Sequence, residues 1–155
     1  MDNHAKAILE KRINKVTENL RKNNMQVHYV ESKAQVVNKV AELLKDGDTV
    51  GVGGSQSISE SGVFDLLRSG KYNFLDRYKE GLSREDIEEI FIKSFSADAY
   101  ICSSNAITEK GELYNVDGNS NRVAAICYGP KSVIIIAGYN KIVKNFDEAV
   151  NVLKQ

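Results

Sequence analysis

The stretch TVGVGGSQS, residues 49–57, joins a short apolar run directly to a pair of glycines. Residues 49–52 are β-prone and apolar, which predicts a short buried strand. A helix is predicted to follow from residue 58 to about residue 68. Glycines placed directly after a strand let the backbone turn sharply and come close to a ligand. A strand that leads through a glycine turn into a helix is typical of a parallel sheet whose faces are covered by helices.

The same alternation of helices and short apolar strands continues along the chain. Ser32, Ser83 and Asn145 have the sequence patterns of helix caps, and the run 132–137 is β-branched, as expected of a strand covered on both faces. The pattern predicts the α/β class, a three-layer α/β/α arrangement with a mainly parallel sheet, in a single domain of residues 1–155 on which a helix within residues 1–24 packs. Helices are predicted near 4–23, 33–45, 58–68, 86–95, 121–128 and 146–153, and strands near 26–30, 49–52, 99–102, 112–116 and 132–137.

The glycine turn is predicted to hold an anion. The helix that follows directs its free N–H groups and partial positive charge at the turn, where a phosphate, carboxylate or pyrophosphate is stabilised. Gly53, Gly54 and Ser55 are the favoured residues. Ser57 also has a purely structural explanation, because it lies three residues before Glu60 and forms a capping-box pattern with it. The motif is neither a phosphate-binding loop with a lysine nor the three-glycine dinucleotide fingerprint.

A second polar segment, residues 103–122, lies between the apolar runs 99–102 and 123–126. Segments of this length and variety of side chains are more often functional than merely connecting. Because ligands bind beyond the carboxyl ends of parallel strands, and both polar segments directly follow a buried strand, we expect them to open on the same edge of the sheet.

Arg122 is the residue of this segment that we expect to contact an anionic ligand. Glu112 or Asp117 would then act as base, nucleophile or hydroxyl ligand, and these two are the candidate catalytic residues if the protein is an enzyme. The alternative is that Asp117 serves turn geometry and that Arg122 forms an ion pair with Asp117 or Glu112. The full set of candidate ligand-binding residues is Gly53, Gly54, Ser55, Ser57, Asn105, Glu112, Asp117, Gly118, Asn121 and Arg122.

Composition excludes several classes of partner. Acidic and basic residues balance at 21 each, so a nucleic acid or a membrane surface has little electrostatic support. No apolar run is long enough to span a bilayer, and the first residues lack the apolar core of a signal peptide. Two cysteines at unrelated positions suit a reducing cytoplasm. Neither histidine has a partner at metal-ligand spacing, so no metal site is expected.

Eight motifs occur in order along the chain, at 53–57 (GGSQS), 65–68 (DLLR), 72–78 (YNFLDRY), 104–108 (SNAIT), 115–118 (NVDG), 121–122 (NR), 129–131 (GPK) and 140–143 (NKIV). Together they are similar to the lactate-utilisation (LUD) domain family. The resemblance implies a fold like that of the ribose-phosphate isomerase, glucosamine-phosphate deaminase and coenzyme A transferase group. It also implies a bacterial, cytoplasmic role in lactate oxidation, beside partner proteins that carry iron–sulfur clusters.

The chain departs from this family in two respects. Its two cysteines, Cys102 and Cys127, cannot supply the four thiolates of a cluster, so no cofactor is expected in this chain. Many relatives also continue into a basic, cysteine-bearing tail, so that the sequence is expected to be either a short member or part of a longer one. The resemblance transfers no catalytic residue.

Two functions of different class follow. The first is an accessory subunit that binds a small anionic or phosphorylated metabolite and docks onto iron–sulfur oxidoreductase subunits of a lactate-oxidising complex. The second is an enzyme of the isomerase, transferase or cyclo-ligase type, acting on a sugar phosphate, a coenzyme A ester or a folate. A redox module that uses Cys102 is a third, less favoured interpretation. The oligomeric state does not follow from the sequence.

Overall fold

The computed structural model describes residues 3–153, which belong to two compact units. Unit 2 consists of Val30–Ser103 and Val116–Ile136, and unit 1 consists of Ser104–Asn115 with the described residues up to Tyr29 and from Ala137 onward. The single domain stays a prediction. The elements in chain order are α1 (Asn3–Lys22), α2 (Lys33–Leu43), β1 (Thr49–Val52), α3 (Gln56–Ser61), α4 (Val63–Leu67), β2 (Asn73–Phe74), α5 (Arg84–Ser94), β3 (Ala99–Cys102), β4 (Ala106–Thr108), β5 (Leu113–Tyr114), α6 (Asn121–Cys127), β6 (Ser132–Ile135), a 3₁₀ turn (Tyr139–Lys141), β7 (Ile142–Val143) and α7 (Phe146–Val152).

Unit 2 is built on a four-stranded parallel sheet in the order β2-β1-β3-β6. Alternate residues of its strands point to opposite faces. Val50, Val52 and Ile101 pack with residues of α2, α3 and α4 on one face. Tyr100 and Cys102 pack with Phe95, the C-cap of α5, and with residues of α6 on the other. The predicted α/β class and three-layer arrangement with a mainly parallel sheet are therefore confirmed.

The helix starts of unit 2 follow local capping chemistry. Ser32 forms the predicted capping box with Gln35, and Ser83, predicted as a cap, forms a capping box with Asp86. After the glycine turn, however, the cap is Ser55, whose hydroxyl accepts the Ser57 N–H at 3.2 Å. The predicted capping box of Ser57 was therefore wrong, because the helix already begins at residue 56. The single helix predicted for 58–68 is two short helices, α3 and α4, separated at residue 62.

Unit 1 contains a three-stranded mixed sheet in the order β5-β4-β7. Helix α1 packs on it through Val16 and Leu20, which contact the cluster around Ile107. The Glu109 carboxylate accepts hydrogen bonds from Arg12 at 2.9 Å and Lys15 at 2.8 Å. These bonds tie the turn between β4 and β5 to the helix.

Two of the predicted strands differ from the structure, and three short strands were not predicted. The segment 26–30 is not a strand; Val27 packs on α1 without a sheet partner. The run 132–137 was predicted to be covered on both faces, but β6 is an edge strand and is half-exposed. Strands β2, β4 and β7 were missed, since two or three residues carry too little periodicity to be recognised. None of the helices within residues 3–153 is long and apolar enough to cross a membrane.

Candidate functional site

The candidate site lies at the carboxyl ends of β1 and β3. These strands are parallel neighbours with Val52 paired to Ile101, and the Gly53 N–H continues the ladder by donating to the Ile101 carbonyl at 2.9 Å. The chain goes from β1 to β2 on one side and to β3 on the other, so the strand order reverses here. Open α/β sheets bind ligands at such a switch point. The prediction that the segments after β1 and β3 start on one edge is confirmed.

A cavity of about 220 Å³ lies within unit 2 at this edge. Among the residues that the structure describes, five of the predicted ligand-binding residues line it, together with three others. The predicted ones are Gly54, Asp117, Gly118, Asn121 and Arg122, and the others are Arg77, Val116 and Asn119. The structure therefore brings the glycine turn and Arg122 to one concave surface.

The Arg122 side chain is held in a fixed position on the cavity wall. Its Nη2 donates to the Val116 carbonyl at 2.7 Å, and its Nη1 donates to the Ser103 carbonyl at 3.4 Å. Its aliphatic stem lies over Gly53, where an added Cβ would come within 3.2 Å of both Cγ and Cδ. Gly53 is thus required for the close approach of this arginine, and it is buried and not itself part of the cavity wall.

Arg77 is the second guanidinium of the cavity, and the sequence analysis did not select it. Its guanidinium carbon lies 4.6 Å from the centre of the Phe91 ring and 5.3 Å from that of Tyr78. The neighbouring acid, Asp76, pairs instead with Arg68 at 2.8 Å. Within the part of the chain that the structure describes, Arg77 has no ion pair, so its charge is available to a ligand.

Asp117 caps helix α6 from outside it. One carboxylate oxygen accepts the N–H groups of Arg122 at 2.7 Å and Val123 at 3.2 Å, and the other accepts that of Asn119 at 3.3 Å. Burial raises the pKa of this carboxyl, but these N–H groups and the Arg122 charge outweigh it, so that the pKa lies below its ordinary value. A carboxylate held in this way is a weak proton acceptor. The geometry favours the structural alternative for Asp117 over a role as general base.

The other predicted residues take different positions. Ser55 caps α3, and Ser57 is half-buried in its first turn. Asn105 and Glu112 belong to unit 1, whereas the cavity is a feature of unit 2. The Glu112 carboxylate accepts the Thr108 hydroxyl at 2.8 Å within the β4–β5 turn. Among the cavity residues, Arg77, Val116 and Asn119 were missed. Arg77 lies in the motif YNFLDRY, but a single arginine among aromatics is no specific signal.

Neither a reactive Cys102 thiol nor a metal site is supported by the residues that the structure describes. Cys102 is fully buried, and burial raises the pKa of its thiol to about 12 although the nearby Arg122 lowers it. A thiol of this kind is inert at neutral pH, which argues against the redox interpretation. Within residues 3–153, no group of three or more His, Cys, Asp or Glu side chains is placed to hold a metal ion.

Comparison with known proteins gives one match. The family model described as the LUD domain matches residues 13–155, which is nearly the whole chain. The chain matches none of the curated proteins and none of the solved structures to which it was compared.

Proposed function

Because the chain belongs to the LUD domain family, we propose that it is a cytoplasmic binding subunit of a lactate-utilisation system. It binds a small anionic metabolite, a carboxylate or a phosphorylated compound, in the cavity between Arg77 and Arg122. It acts as an accessory to iron–sulfur oxidoreductase subunits. The family name supports the link to lactate, and the two cysteines of the chain leave any four-thiolate cluster to its partners.

The observation that carries the proposal is the presence of two guanidinium groups at one cavity. Guanidinium groups bind carboxylates and phosphates through paired, charge-assisted hydrogen bonds. Arg122 is fixed by backbone carbonyls, and Arg77 is fixed by stacking on Phe91, so neither side chain must be ordered when a ligand binds. Gly54 has no side chain and so leaves the rim of the cavity open. A Cβ at this position would lie 3.5 Å from the Tyr78 hydroxyl.

The cavity favours binding over catalysis. Of the lining residues that the structure describes, Asp117 alone is titratable and not an arginine, and its carboxylate oxygens already accept three backbone N–H groups. A nucleophile with an adjacent base is therefore not found among the lining residues. Small-molecule pockets commonly measure about 300–1,000 Å³. A cavity of about 220 Å³ fits a metabolite of a few carbon atoms better than an entire coenzyme A ester or folate.

Arg77→Met is expected to weaken binding of the preferred anion by about 10- to 100-fold, since a hydrogen bond to a charged group contributes about 1.5–3 kcal/mol. The measurement is a thermal-shift screen with lactate, pyruvate, sugar phosphates, coenzyme A and folates, followed by titration calorimetry on each compound that stabilises the protein. Arg84→Met is the matched control, because Arg84 is exposed on α5 and pairs with Glu88 outside the cavity.

Each stabilising compound is then incubated with the wild-type protein and tested for chemical change. The binding-subunit proposal expects no turnover by the chain alone. Turnover that is lost in Asp117→Asn or Glu112→Gln, with the fold retained, would establish the enzyme of the isomerase, transferase or cyclo-ligase type instead. Absence of stabilisation by every anion in the screen, or equal weakening by Arg77→Met and Arg84→Met, would contradict the proposed site.

A further inference from the structure

The charges that face the cavity can be counted from its wall. Arg77 and Arg122 each contribute one positive charge, and Asp117 contributes one negative charge. The remaining lining residues carry no charge: Gly54, Val116, Gly118, Asn119 and Asn121. The described part of the cavity wall therefore carries a surplus of one positive charge.

The negative charge of Asp117 is fixed in place. Its carboxylate is held by three backbone N–H groups and lies near the Arg122 charge, which together keep its pKa low. Asp117 also occupies the N–H groups of Arg122 and Val123, in the first turn of α6. In many phosphate sites such N–H groups bind the ligand's oxygens directly. Here these N–H groups already donate hydrogen bonds to the Asp117 carboxylate.

We propose that this cavity selects small carboxylates with a single negative charge over dianions such as phosphate monoesters, and that Asp117 sets this preference. The inference rests on the proposed function, since it concerns the same two arginines. One bound monoanion neutralises the surplus positive charge of the cavity. A dianion leaves one negative charge uncompensated beside Asp117, and like charges a few ångströms apart repel.

The amide side chains fit a ligand with a further polar group. Asn119 and Asn121 line the cavity beside the charged residues, and an amide offers both hydrogen-bond donors and an acceptor. A short carboxylate that carries a hydroxyl or carbonyl group matches this wall in charge, size and polarity. Long or doubly charged ligands match it less well.

The test compares four probes of three carbon atoms by titration calorimetry at neutral pH and constant ionic strength. Lactate and pyruvate carry one negative charge, whereas malonate and glycerol 3-phosphate carry two. For the wild-type protein, the tighter-binding monoanion is expected to bind at least about tenfold more tightly than either dianion. In Asp117→Asn, the ratio is expected to shift by about tenfold toward the dianions. The matched control, Asp65→Asn, removes an exposed carboxylate of α4 outside the cavity and should leave the ratio unchanged.

The outcomes separate this inference from the function on which it rests. Asparagine retains a side-chain oxygen that can accept the α6 N–H groups, and the melting temperature of Asp117→Asn reports whether the fold is kept. The wild-type ratio needs no variant, so it decides the matter even if Asp117→Asn unfolds. Dianions that bind as tightly as monoanions, in an Arg77-dependent manner, would overturn the selectivity alone. An unchanged ratio in folded Asp117→Asn would do the same. Binding of no probe would overturn the selectivity, and together with no stabilisation by any compound of the thermal-shift screen it would overturn the proposed function as well. Binding that survives Arg77→Met would overturn both.

Discussion

Gly111→Ala is expected to lower the free energy of unfolding by about 3 kcal/mol, the sum of a conformational cost and an overlap with α1. Gly111 has φ +80°, where a side chain costs about 1 kcal/mol or more. An added Cβ would also lie 2.6 Å from the Asn19 carbonyl carbon and the Leu20 nitrogen. These are backbone atoms of α1, which cannot turn aside as a side chain can, and overpacking of this kind costs about 1–3 kcal/mol.

The matched control for this variant is Gly81→Ala. Gly81 has nearly the same φ, +81°, but no atom lies within 4 Å of the added Cβ. It should therefore lose only the conformational part, about 1 kcal/mol. Urea unfolding of both variants and the wild type measures the difference. Equal losses in the two variants would show that α1 does not pack against the β4–β5 turn as described.

Gly129→Ala is the second large effect, and we expect a loss of about 3 kcal/mol in unfolding free energy. Gly129 follows α6 with φ +123°, and an added Cβ would lie 2.5 Å from the Phe95 carbonyl oxygen and 3.0 Å from the Phe95 Cα. Relief of this overlap requires α6 and the end of α5 to separate. Since α6 carries Arg122, the variant is also expected to weaken binding of the preferred anion.

Gly47→Ala serves as its control. Gly47 also has a positive φ, +87°, and nothing lies within 4 Å of the added Cβ. Urea unfolding and calorimetric titration of both variants separate the two effects. A Gly129→Ala protein that is as stable as Gly47→Ala, and that binds the anion as the wild type does, would refute the close packing of α6 on α5.

The parts of the fold that the sequence predicted correctly depend on local chemistry. Apolar runs bounded by turn residues located β1 and β3, and the side chains of Ser32, Ser83 and Asn145 marked the starts of three helices. The short strand β7 depends instead on pairing with β4, about 35 positions away, which no local pattern reveals. The segment 26–30 has the pattern of a strand but finds no partner, so tertiary context overrides it.

The candidate site was predictable only in part, because here too the sequence carries local signals and not the contacts between distant residues. Glycines after a strand and an arginine in a polar segment are local signals, and they correctly pointed to one edge of the sheet. The position of Arg77 depends on Phe91 and on the pairing of Asp76 with Arg68, which only the folded chain brings together. The sequence left two roles open for Asp117, a structural one and a catalytic one. The convergence of three N–H groups on its carboxylate cannot be inferred from spacing.

The central claim is that a small anion binds between Arg77 and Arg122 at the carboxyl ends of β1 and β3. Nuclear magnetic resonance of ¹⁵N-labelled wild-type protein, titrated with pyruvate and with lactate, tests it most directly. We expect saturable shifts of the Gly54, Gly118 and Asn119 amide signals and of the Arg77 Nε–H signal, with the Gly47 and Gly81 amides unchanged. Shifts confined to residues outside the cavity, or no saturable shift at any of these four signals with either anion, would contradict the account.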